Sequence, residues 1–170
     1  MLKLLSDLVG QPVVSERDGT AIGRVQTVVF DAGKGKVVAY RFRGSAADSY
    51  ISTIDIRAYL DRGLVIAGAE TAQSLDDLPS VRTVVESNID PIGLRAETIQ
   101  GRRLGRVDDA TIETDGHFLT KLHIKPPWWQ VTGKGLIIPH TRIVRFEPDR
   151  VVLRYDKDGN PAELEPEVAA

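Results

Sequence analysis

Cysteine is absent from the 170 residues. Disulfides, thiolate nucleophiles and Cys-ligated zinc or iron–sulfur centres go with it, and the absence fits a reducing compartment. Long apolar runs are missing too. None approaches the roughly 18–20 residues that cross a bilayer, and Asp7 interrupts the apolar N-terminus too early for a secretory leader. The expectation is a soluble, cytoplasmic protein for which membrane contact is not expected.

Catalytic patterns are equally scarce. The three histidines, His117, His123 and His140, have no mutual spacing that suits a metal. No serine stands in a nucleophile elbow. Gly33-Lys34-Gly35-Lys36 and Gly133-Lys134-Gly135 lack the longer glycine spacing of a phosphate loop, and strands rather than helices are expected after them. Asp108 and Asp109 are neighbours in a predicted strand, so they face opposite sides and do not form a carboxylate pair. The expectation is a protein that is not an enzyme and has no cofactor and no metal.

What the chain does contain is an ordinary globular composition, 42% hydrophobic and 27% charged, and an internal repeat. Residues 19–43 align without a gap on residues 101–125, at an offset of 82. Gly19 meets Gly101, Gly23-Arg24-Val25 meets Gly105-Arg106-Val107, and Phe30 meets Ile112. Residues 51–66 then align on 138–153 at an offset of 87, with Tyr59 meeting Phe146 and Leu64-Val65-Ile66 meeting Val151-Val152-Leu153. The extra length of the second copy falls between Pro126 and Gly135.

Each copy reads as short strands bounded by turn residues. Asp18-Gly19 and Asp115-Gly116 carry turn chemistry, and residues 37–43 alternate with a period near two. Strands at this spacing predict two small closed β-barrels. Between them, Ser74 to Ser80 gives a helix-start signal with Pro79 in the first turn. A helix is expected near residues 76–87, with Val81, Val84 and Val85 burying one face against one or both barrels. The division is 1–68 for the first barrel, 69–90 for an acidic helical linker, 91–155 for the second barrel and 156–170 for a frayed acidic tail. Net charge over these segments is +2, −4, +4 and −4.

The run Leu8-Val9-Gly10-Gln11-Pro12-Val13-Val14, followed by Asp18-Gly19, Ile22-Gly23-Arg24-Val25, Phe30-Asp31 and Gly35-Lys36-Val37-Val38-Ala39, resembles the PRC-barrel signature. Leu104-Gly105-Arg106-Val107 matches the same pattern, although Ile92-Gly93-Leu94-Arg95 lacks its Pro-Val-Val. The whole resembles the tandem, two-copy PRC-barrel proteins of bacteria. The resemblance implies a mainly β fold of two small barrels joined by a short helix. It also implies protein contact and complex assembly, and it brings no catalytic residue. PRC-barrels occur in the photosynthetic reaction-centre H subunit and in the ribosome-maturation factor RimM, so ribosome or RNA association is a second reading.

The candidate contact residues lie in the second copy. Trp128 and Trp129 sit in its insertion behind Pro126-Pro127, which stiffens the loop. The two rings either cap a barrel end or the helix, or meet a partner, or meet lipid. Lys125, Arg102 and Arg103 are the basic residues expected beside them, within a wider set of Arg106, Lys121, Arg142 and Arg145. The leading expectation is a protein-binding adaptor whose partner and oligomeric state the sequence does not name.

Overall fold

The computed structural model describes residues 1–44, 49–128 and 135–155. The expected acidic tail lies outside the described residues. In chain order the elements are β1 (Leu2–Leu4), α1 (Leu5–Leu8), β2 (Pro12–Ser15), β3 (Ala21–Asp31), β4 (Lys36–Gly44), β5 (Ser49–Ser52), β6 (Ile56–Leu60) and β7 (Gly63–Ile66). Then come α2 (Pro79–Ser87), β8 (Arg95–Thr98), β9 (Arg103–Glu113), β10 (Leu119–Lys125), β11 (Leu136–Pro139), β12 (Ile143–Glu147) and β13 (Arg150–Leu153).

The two copies build the same sheet. The first runs β5-β4-β3-β2-β7-β6 and the second β11-β10-β9-β8-β13-β12. In each, one parallel pair, β2 with β7 and β8 with β13, interrupts an otherwise antiparallel order. Bulges in β3 and β9 break the register and curl the sheets. The expected closure by hydrogen bonds is not completed. Among the described residues β5 does not pair with β6, nor β11 with β12, and a single 3-10 turn spans each gap, at Thr53–Asp55 and His140–Arg142.

The repeated Gly-Arg-Val has a structural cause. A Cβ on Gly23 would lie 2.5 Å from the Arg43 carbonyl oxygen and 2.7 Å from the Phe42 ring. One on Gly105, where φ is +140°, would run into the Lys125 carbonyl. Only glycine lets β3 cross β4, and β9 cross β10, this closely. The next residue ties the strand down. Arg24 donates to the Gly10 carbonyl at 2.9 Å, and Arg106 to the Gly93 carbonyl at 2.8 Å. Val25 and Val107 are then buried in the core.

Helix α2 begins at Pro79, which has no N–H to lose at that position. The expected first turn from residue 76 is a separate 3-10 turn, Leu75–Asp77. Asn88 ends the helix in the left-handed conformation, its N–H bonded to the Val85 carbonyl. Val81 buries against Val29 and Ala39 of the first sheet, with Val84 and Val85 beside it. The expected Val face is therefore used, on the first barrel.

The barrels are fused rather than strung apart. One continuous core runs from Leu5 and Tyr40 through Ile112 to Leu153. A backbone bridge joins Lys36 to Phe118 at the junction, where Val37 N–H donates to the His117 carbonyl and Leu119 N–H to the Gly35 carbonyl, each at 2.9 Å. Residues 35–37 and 117–119 are repeat equivalents, so the bridge lies on the pseudo-twofold axis that relates the copies.

Symmetry fails next to that axis. β1 leaves the first copy and pairs with β9 of the second, Leu4 opposite Thr111 and Leu2 opposite Glu113. The corresponding flank of β3 carries the end of α2 instead, with Val84 and Val85 beside Val28 and Phe30. The same sheet edge is thus covered by a strand in one copy and by a helix in the other.

Candidate functional site: an aromatic and basic groove

β10 ends at Lys125, and Pro126-Pro127 carries the chain away from the sheet. Pro127 is buried, whereas Trp128, which follows it, is 88% exposed. Of the three placements open to this ring from the sequence, packing on a barrel end or on the helix is excluded for Trp128. Burying an indole is worth several kcal/mol, so an exposed one is an informative surface feature.

A groove of about 300 Å³ opens beneath it, lined by Arg103, Gly105, Arg106, Lys125, Pro126, Pro127 and Trp128. Three of the expected contact residues, Trp128, Lys125 and Arg103, are thereby brought together. Arg106 joins them with one arm held by the Gly93 carbonyl. Gly105, whose missing side chain permits the strand crossing, is also one of the lining residues. Two prolines and an indole supply an apolar wall, and three cations supply an electropositive rim.

Arg102 stands beside this group in an exposed turn, its N–H bonded to Thr98 Oγ1, and does not line the groove. Trp129 lies outside the described residues. The wider basic set does not form one patch. Lys121 is exposed on β10, Arg142 is buried, and Arg145 pairs with Glu147 at 2.7 Å at the barrel junction.

A second polar constellation is not among the sequence expectations. Tyr40 Oη and Tyr59 Oη are 2.9 Å apart, and Tyr59 Oη is 3.0 Å from His117 Nδ1. This chain of contacts crosses from the first barrel into the second. Tyr40 is fully buried. Burial raises the pKa of both phenols, that of Tyr59 up to about 12. Burial and the nearby Lys36 charge lower that of His117, against the opposing pull of Glu113 and Asp115. His117 adopts φ of +62°, the conformation of its repeat equivalent Gly35 at +63°. The signal that could have exposed the constellation was the repeat itself, which sets a histidine against a glycine. The remaining histidine in a strand, His123, is satisfied by Thr111 Oγ1 at 2.8 Å. Among the described residues no three His, Asp or Glu side chains gather as a metal site.

Two curved six-strand sheets of one order, built on the same glycine crossing and sharing a core, define a tandem small-barrel protein. The PRC-barrel domain model matches residues 2–71 and again 86–159. The chain belongs to the PRC-barrel domain family and carries two copies of the domain. No curated protein is matched. No helix among the described residues is long and apolar enough to cross a membrane.

Proposed function

We propose that this protein is a non-catalytic, cytoplasmic adaptor that binds another protein through the Trp128 groove. The observation that carries the reading is the 88% exposed indole mounted on a buried proline beside Arg103, Arg106 and Lys125. The two prolines ahead of the ring restrict the backbone before a partner is met, so less entropy is lost on binding. The partner chemistry that fits is an apolar side chain flanked by carboxylates.

The test is a pull-down of tagged protein from its source cells, with and without RNase, beside a Trp128→Ala variant. The captured protein is then titrated against purified wild type and variant. A protein that survives RNase and binds the variant at least about 30-fold more weakly, as a central tryptophan contact would give, supports the adaptor. Equal binding by the variant refutes the groove as the interface. The same three cations also support a second reading, a ribosome- or RNA-associated factor. In that case ribosomal components are lost on RNase treatment, and affinity falls steeply as salt is raised.

A further inference from the structure

The pseudo-twofold axis makes a comparison between the two sides of the barrel junction. On one side the turn of the second copy plants the His117 ring against Tyr59, with ring centroids 5.7 Å apart. On the other side the turn of the first copy faces Phe146, the repeat equivalent of Tyr59. The residue equivalent to His117 there is Gly35. Both have the same backbone conformation, and a Cβ built on Gly35 meets nothing within 4 Å. The ring position that is filled on the first side is therefore an open cavity on the second, of about 470 Å³. That is within the range of small-molecule sites.

Its walls suit a ring. Phe146 is held edge-on by Phe30 at 5.2 Å, and Phe118, with Lys36 Nζ over its ring, is also among the lining residues. Its rim carries N–H donors. Lys34 and Arg145 both border it, anchored by Asp31 at 3.3 Å and Glu147 at 2.7 Å, and His140 adds a third nitrogen-bearing side chain. The one acid among the described lining residues, Glu113, already accepts the N–H groups of Asp115 and Gly116. Lysine and arginine each carry more N–H donors than one carboxylate uses.

We propose that this junction cavity binds a small planar aromatic ligand bearing a carboxylate, its ring seated on Phe146 where His117 is seated on Tyr59. The site is separate from the Trp128 groove and does not depend on that groove binding a partner.

The probe is benzoate, titrated into the full chain and followed by amide chemical shifts, with benzamide and cyclohexanecarboxylate as comparisons. Saturable shifts at Gly35, Leu119 and Phe146 are expected at millimolar benzoate, with weaker binding of both comparison compounds. Gly35→His places a side chain in the ring position and should abolish saturation. Phe146→Leu keeps an apolar wall without the ring and should weaken binding, so the site stays testable if the glycine variant fails to fold. Absence of saturation in the wild type overturns the proposal, as does unchanged binding in both variants. Equal affinity for benzamide overturns the anion assignment. Concentration-dependent self-association that Gly35→His or Phe146→Leu abolishes would make the occupant a side chain of a second copy and overturn the small-molecule assignment.

Discussion

Removing the Tyr59 hydroxyl should cost more stability than removing the Tyr40 hydroxyl, although Tyr40 is the more buried. In Tyr59→Phe the Tyr40 hydroxyl is left fully buried with its partner gone, and His117 Nδ1 loses its contact too. An unsatisfied buried hydroxyl costs about 1–3 kcal/mol, and the half-exposed imidazole can turn to water at little further cost. The expected loss is about 2 kcal/mol, or a melting temperature lower by roughly 4–8 °C for a chain of this size. In Tyr40→Phe the Tyr59 hydroxyl keeps His117, so about 1 kcal/mol is expected. The double variant leaves no orphan hydroxyl in the core and should lose less than the sum of the two. Urea denaturation of the four proteins forms a double-mutant cycle. Strict additivity, or a harmless Tyr59→Phe, would refute the hydrogen-bond chain across the junction.

Three further outcomes follow from named residues. Because His117 has a lowered pKa in the folded protein, the unfolded chain takes up the proton first. Stability should hold above pH about 6.5 and decline as the pH falls toward the lowered value, and His117→Gln should flatten that decline in melts run across pH. Gly23→Ala forces a methyl against backbone and should cost about 1–3 kcal/mol by denaturant unfolding, and Gly105→Ala should cost more because a positive φ adds to the clash. Trp128→Ala should leave the unfolding midpoint within the change of about 0.5 kcal/mol typical of exposed sites, so that any binding loss is not a folding loss.

Side-chain patterns predicted what side chains determine. The Gly-Arg-Val repeat marked equivalent strands of the two copies, the Ser74–Ser80 signal placed a helix within three residues of its start at Pro79, and Pro126-Pro127 marked the stiffened backbone ahead of Trp128. The junction was not legible, because its bridge is made of backbone N–H groups of Val37 and Leu119 and carbonyls of His117 and Gly35, groups that every residue but proline possesses in full. Tyr59 and His117 are 58 residues apart, and nothing local relates them. Arg142 read as another surface cation, but its position at the end of the turn that spans the open sheet places it inside. Open sheets escaped notice for a related reason. Strand count and spacing are the same whether the last pair of edges meets or is bridged by a turn.

The exchange of β1 sets an order of events during synthesis. Leu2, Lys3 and Leu4 are made roughly a hundred positions ahead of their hydrogen-bonding partners, Thr111 to Glu113. At ordinary elongation rates that is a wait of about 5–20 seconds. During it the first barrel can assemble its own six strands, while the strand ahead of them hangs unpaired beside the ribosome. The newborn protein therefore carries a tether, a hook that closes only when the second domain arrives. Separating the two domains at the helix would leave one piece with a loose hook and the other with a bare edge.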